Sequence, residues 1–320
     1  MLHLRVISPA AQTSALLRVL RADGGVTHLT VARGAAVDPA GDLVQADVAR
    51  EAANKVLADV QALGIVHTGG LTVSAVESVF SDAAERATRA APGDPDDTVV
   101  WDELLEETHE ESTLNVTFVA FLTIACLLAA IGVATNSPVT IVGAMVVGPE
   151  FGPLAALSVA LFRRDRPLAR RSVLALVAAF PVAMGITLVA TLVWERFGWI
   201  TAEEVMAAHY IDFIYQVGPF SLVVALLAGA AGMLSLVSAK SAALIGVFIS
   251  VTTVPAAGYA VVAATLGEWQ RAFQSVAQLA VNLVGIVVAG VLVLALLPRA
   301  GRRYGPFGQV VQMFSGRPRR

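Results

Sequence analysis

Six stretches of the chain, 114–134, 139–162, 172–194, 218–239, 241–264 and 272–297, are almost wholly apolar over about the length that crosses a bilayer. A crossing helix needs about 20 mainly apolar residues. Inside hydrocarbon every backbone N–H and C=O must find its partner within the protein. Helices meet that demand segment by segment, so these stretches predict six membrane-crossing helices in the C-terminal two-thirds of the chain. Composition agrees: 15% of the 320 residues are charged and 56% are hydrophobic, against roughly 25% charged in a soluble domain.

Arginine in the loops orients the spans, because cytoplasmic loops carry the excess of basic residues. The 163–171 loop holds Arg163, Arg164, Arg166, Arg170 and Arg171, and the segment after 298 holds six more arginines. Both are expected in the cytoplasm. The 135–138 loop is uncharged, and 195–217 has Glu195, Glu203, Glu204 and Asp212 against Arg196 alone. Both are expected outside. Alternating six spans between these assignments puts both termini in the cytoplasm of a multi-pass protein of the cell membrane. In the outer loop, Thr201-Ala-Glu-Glu204 is a capping box that should open a short interfacial helix. His209 and Asp212 lie three apart on it, a weak pattern for a metal.

The front of the chain follows different rules. Residues 1–112 carry 8 Lys/Arg and 18 Asp/Glu, a balance of −10, whereas 113–320 carry 14 and 7, a balance of +7. Such a split marks a boundary near 112. Alternating apolar residues predict strands at 2–7, 26–32 and 43–48 and a last strand within 71–80 that leads toward a helix, with turn residues around Asp38-Pro39 and Gly41. Helical spacing predicts helices at 10–22 and 50–63. The order β-α-β-β-α-β is the ferredoxin-like, split βαβ pattern, expected over 1–82 as a cytoplasmic domain. His3, His28 and His67 read as single strand or loop residues, and no nucleophile–base pair, phosphate loop or ligand cluster stands out. Cys126 is the only cysteine, which leaves no disulfide framework and no cysteine metal site. Neither an enzyme, a cofactor nor a nucleic-acid partner is expected.

Between the domains, 83–112 reads as an acidic linker. Nine acids lie between Asp94 and Glu111 with no Lys or Arg among them. Trp101, Leu104, Leu105 and Thr108 form an apolar stripe at helical spacing, so part of this segment should be a helix near the membrane surface. It is either a solvated connector or an element that docks on the 163–171 arginines. The six spans occupy 113–298, and 299–320 is a basic cytoplasmic tail.

Within the spans, Leu127–Gly132 recurs approximately as Leu226–Gly232, and Ile141–Gly143 as Leu244–Gly246. A proline–glycine interruption follows each: Gly148-Pro-Glu-Phe-Gly-Pro153 in the second span and Val254-Pro-Ala-Ala-Gly258 in the fifth. Three spans per unit is an odd number, so the second unit enters from the opposite side. This 3+3 inverted repeat is a plan of secondary transporters, whose interrupted helices mark the substrate site. In the second span Pro149 and Pro153 free two backbone acceptors. Between them, at mid-span, sits Glu150, and a carboxylate at that depth is a functional candidate by default. Gly148, Pro149, Gly152 and Pro153 shape that break; Thr252, Thr253 and Pro255 belong to the fifth span, and Gln278 and Asn282 share one face of the sixth. Together with Glu150 these form the expected substrate or ion site.

The acidic linker, the paired spans and the run Gly143-Ala-Met-Val-Val-Gly-Pro-Glu-Phe-Gly-Pro153 resemble the prokaryotic membrane family known as domain of unknown function 389. The likeness extends from about 100 to 297 and implies a hydrophobic domain without an assigned activity. The leading expectation is a homo-oligomeric transporter or channel for a small solute or ion, regulated by the front domain. The rival is a membrane-anchored sensor or scaffold without transport.

Overall fold

The computed structural model describes residues 1–76, 78–91, 100–201, 218–238 and 245–297. The acids at 94, 96 and 97, His209 and Asp212 of the outer loop, and the basic tail lie outside them. The chain forms two compact units, Met1–Leu104 and Leu105–Leu296.

In the front unit, β1 (Leu2–Ser8), α1 (Ala10–Ala22), β2 (Val26–Val37), β3 (Ala40–Val48), α2 (Arg50–Ala62), a short turn α3 (Ile65–Thr68) and β4 (Gly70–Ala75) follow in order. The strands form one antiparallel sheet in the order β2-β3-β1-β4. Each βαβ half is thus split by a strand of the other, which is the expected pattern. Alternation decides the faces. Leu2, Leu4 and Val6 of β1 and Val44, Ala46 and Val48 of β3 are buried in one core with Leu16 and Leu20 of α1 and Val56, Leu57 and Val60 of α2. Each such side chain removed from water contributes roughly 1.5–3 kcal/mol.

One strand boundary differs from expectation. β2 runs to Val37, through residues read as a turn, and pairs up to Val37↔Ala40. The reason is a bulge between Ala32 and Ala36. There Gly34 takes a left-handed φ of 62°, and its N–H donates to the Asp42 carboxylate at 2.8 Å. An extra residue held this way bends a strand without ending it. β4 ends at Ala75, inside the 71–80 stretch, and after it α4 (Asp82–Ala90) begins behind Ser81, whose hydroxyl caps it by accepting from the Ala83 N–H.

The second unit is helical. α5 (Trp101–Glu111) is the predicted linker helix; its Leu105 packs with Ala156, Ala160 and Leu168. Then come α6 (Val116–Ala134), α7 (Pro138–Val147), α8 (Phe151–Arg163), α9 (Arg166–Arg196), α10 (Pro219–Ser238), α11 (Ile245–Thr265) and α12 (Trp269–Leu296). Among the described residues, four helices are long and apolar enough to cross a membrane: Val116–Ala134, Arg166–Arg196, Phe220–Val237 and Trp269–Leu296. A fifth crossing is added if α7 and α8, bent by 53° at their break, count as one. Their outward faces show large apolar side chains to the surroundings, among them Val177, Val189, Leu227 and Val284. In water such a surface would be an aggregation hazard; against lipid it is the ordinary exterior of a membrane protein.

Small residues let the helices close up, as membrane packing favours. A Cβ at Gly258 of α11 would lie 2.6 Å from Ala129 Cβ and 3.0 Å from Ala130 N of α6. One at Gly229 of α10 would meet the Ile286 backbone of α12.

Candidate functional site

The α7–α8 break follows from its residues. Pro149 would, within a helix, leave the Met145 carbonyl without its donor, and Pro153 would do the same to the Pro149 carbonyl. α7 therefore stops at Val147, Gly148 turns to extended backbone, and α8 restarts at Phe151. Glu150 occupies the N-cap position of α8, its carbonyl accepting from the Leu154 N–H at 3.3 Å. Its side chain is fully buried. Ala144, Leu154, Val254, Ala256 and Ala257 belong to the apolar cluster formed by these same helices. The hydroxyl of Thr253, on α11, donates to Glu150 Oε1 at 2.5 Å.

The fifth span departs from expectation at Pro255. α11 is not interrupted there: it continues as one helix from Ile245 to Thr265. α9 likewise continues through Pro181. A single proline removes one helical bond, and neighbouring helices readily compensate it in a membrane. Two prolines four apart, flanked by Gly148 and Gly152, remove two bonds in one turn and lower the resistance to bending. Only that combination separates two helices.

The remaining predicted residues divide into groups. Gly148 and Pro149 are half-buried, whereas Gly152, Pro153, Thr253 and Pro255 are buried. The side chain of Thr252 lies outside the described residues. Gln278 and Asn282 are buried one turn apart on α12; the Gln278 amide donates to Asn282 Oδ1 at 2.9 Å, and Ser221 of α10 donates to Gln278 Oε1 at 3.2 Å. Two further hydroxyls reach main-chain carbonyls across helices: Ser158 of α8 to Val287 of α12, and Ser275 of α12 to Ala256 of α11. These polar residues follow the contacts of α8, α10 and α11 with α12, whereas Glu150 bonds Thr253 of α11.

The linker helix meets the arginine-rich segment at its C-terminal end. Arg171 bonds His109 Nε2 at 2.8 Å and the Thr113 hydroxyl at 2.7 Å.

A cluster that sequence reasoning passed over lies in the front unit. The β1–β3 register sets His3 opposite Asp47, on the sheet face away from the core. His3 Nδ1 lies 2.7 Å from Asp47 Oδ1, and His28 Nδ1 lies 2.7 Å from Asp47 Oδ2. The other nitrogen of His28, Nε2, lies 2.9 Å from the Ser81 hydroxyl. His28 sits in a register shift between Thr27 and Thr30 with a left-handed φ of 48°, which turns its ring toward both partners. Burial pushes the Asp47 carboxyl up, but its hydrogen bonds to His28 and His3 outweigh this and hold it below its ordinary value. Three residues, 28, 47 and 81, come from three separate elements, so no spacing in the chain announces them. Among the described residues no group of three or more His, Cys, Asp or Glu is arranged to hold a metal ion.

Comparison with known proteins gives a family likeness. Residues 145–288, from the end of α7 into α12, match the family described as a domain of unknown function (DUF389). An uncharacterized protein of Methanocaldococcus jannaschii is 22% identical over 197 residues, covering 61% of this chain and 58% of that protein. The chain therefore spans less than two thirds of that relative's length. No solved structure matches.

Proposed function

We propose that this chain is a multi-pass protein of the cell membrane that carries a small solute or ion, engaged where the α7–α8 break faces α11. In this reading α7 and α8 are one broken span, and α6, α9, α10, α11 and α12 supply five more. Both termini lie in the cytoplasm, and the two sets of three spans are inverted copies. Copies of the chain assemble into a homo-oligomer whose front units regulate passage. The membrane unit performs no chemical step; its site binds and releases.

One observation carries the reading: a fully buried carboxylate, Glu150, hydrogen-bonded to the Thr253 hydroxyl of another helix. A carboxylate in apolar surroundings costs several kcal/mol, and an apolar residue in its place is often neutral or stabilising. A structural role alone therefore gives a poor account of it. The carboxylate, the hydroxyl and the backbone acceptors beside Pro149 form a set of oxygens suited to a cation or a proton. Irregular backbone at membrane depth is tolerated where it lines a cavity, which is the placement a substrate site requires.

Flux through the purified full chain in proteoliposomes tests this. Glu150→Gln keeps the shape and removes the titrating group, so it should abolish pH- or cation-dependence of flux while leaving the protein assembled. Glu150→Leu should impair flux at least as much, since it also removes the polar contact. Wild-type flux in both variants would refute the site. A wild-type protein that carries no flux for any tested solute or ion would favour a membrane-anchored sensor or scaffold.

A further inference from the structure

We infer that Ser81 is an activated nucleophile, with His28 as its base and Asp47 as the residue that positions the base, and that the front unit hydrolyses small carboxylic esters. A serine hydroxyl is a weak nucleophile until a base within hydrogen-bond reach takes its proton and a third group orients that base. Both relations are present. Ser81 Oγ lies 2.9 Å from His28 Nε2, and His28 Nδ1 lies 2.7 Å from Asp47 Oδ2. An ionised Asp47 accepts from Nδ1–H, which leaves Nε2 as the lone pair facing the hydroxyl. Asp47 is in turn fixed on its other oxygen by His3, so the carboxylate is anchored on both sides.

The backbone is shaped to this end. His28 has a left-handed φ at a strand irregularity, a conformation that costs a non-glycine residue energy and re-aims its side chain. Ser81 immediately precedes α4, whose first-turn N–H groups have no carbonyl four residues back. The Ala83 N–H donates to Ser81 Oγ itself, so the donors for a developing oxyanion would be the N–H groups of Asp82 and Ala84, next in the chain to the nucleophile. An open cleft of about 450 Å³ is lined by residues on both sides of Ser81 in the chain, Val76 and Val79 before it and Ala84, Glu85 and Thr88 after it. With Met1 and Arg89 completing it, the lining is part aliphatic and part polar, and its size suits a small ester.

In the first step the Ser81 oxygen bonds the ester carbonyl carbon as its proton passes to His28 Nε2. The tetrahedral adduct then expels the alcohol, the carbon–oxygen bond breaking as that proton moves to the leaving oxygen. Water repeats the sequence on the acyl-serine, releasing the acid and restoring Ser81. No oxidant or other reagent is required.

The full chain in detergent is treated with an alkyl fluorophosphonate and mapped by peptide mass, and p-nitrophenyl acetate is used to follow turnover. The expected result is modification at Ser81, ahead of the other exposed serines, with a burst and continued release of p-nitrophenol. His28→Gln should slow modification roughly 100-fold. Asp47→Asn should lower the maximal rate of modification without changing its half-saturating probe concentration, as fits a positioning residue. Ser81→Asn retains a capping acceptor for α4, so its loss of labelling is due to the missing hydroxyl and not to a frayed helix. Ser81 unlabelled, or labelled as fast in His28→Gln as in wild type, overturns the proposal. A burst without turnover overturns the hydrolytic step.

Discussion

The contact between α6 and α11 can be tested with one methyl group. Gly258→Ala places a Cβ 2.6 Å from Ala129 Cβ, 3.0 Å from Ala130 N and 3.1 Å from Ala129 C. Carbon atoms rest at about 3.5–4.0 Å, so the helices must part by roughly 1 Å. The obstacles are backbone atoms and a methyl fixed to the backbone, and neither can rotate away. Overpacking of this kind costs about 1–3 kcal/mol, against roughly 0.8–1.0 kcal/mol regained from the helix propensity of alanine. The net expectation is a loss of about 1 kcal/mol, the middle of the difference between these ranges. For a unit of about 200 residues, 1 kcal/mol moves Tm by roughly 2–4 °C, so thermal unfolding in detergent should fall by about that much. Gly185→Ala on α9 is the control, because its Cβ would meet nothing within 4 Å; there propensity acts alone and Tm should hold or rise. Ala129→Gly should partly rescue Gly258→Ala by removing the nearest atom, leaving the backbone contacts near 3 Å. Gly258→Ala melting with the wild type, or Gly185→Ala falling as far, would show that the two helices do not meet this closely.

Two further outcomes follow from the charge pattern. In the front unit the Asp23, Asp42 and Asp47 carboxyls are all held below their ordinary value, Asp23 through Lys55 and Gly25 against the opposing effect of burial, and Asp42 chiefly by the Gly34 N–H. A carboxyl with a depressed folded value stabilises above the unfolded value of about 3.9 and loses that contribution as pH falls toward the folded one. Residues 1–91 expressed alone should therefore give a folded α/β spectrum at pH 7 and a melting temperature that drops below about pH 4; a flat profile from pH 6 to pH 3 would refute the assignment. In the membrane unit, a reporter fused after Asp165 should register the cytoplasm and one after Glu203 the outside. The opposite signal at Asp165 would invert the whole topology.

How far the chain could be read in advance depended on the solvent around each part. The spans were legible because hydrocarbon permits so few backbone solutions: helices at 116–134, 166–196, 219–238 and 269–296 lie where the hydropathy put them. The Glu150 contact was half legible. Thr252 and Thr253 were both plausible partners, adjacent helical residues point about 100° apart, and the Thr253 hydroxyl is found on the carboxylate. Choosing it required the rotation of α11, which packing sets and a nearly uniform apolar sequence does not encode. Pro255 misled because a proline was read as a break regardless of number, whereas one missing bond is absorbed and two in a single turn are not. The Ser81–His28–Asp47 relay was invisible for a different reason. It depends on the β2–β3 pairing and on the irregularity in it that carries His28, while the β1–β3 register sets its outer support, His3; none of these is written in residue spacing. A one-residue slip of β1 against β3 would turn Leu2, Leu4 and Val6 out of the core and His3 into it. The burial of those three side chains therefore also sets His3 against Asp47. The hydrophobic core, which has no part in the proposed chemistry, thus determines whether His3 anchors the carboxylate that orients the base.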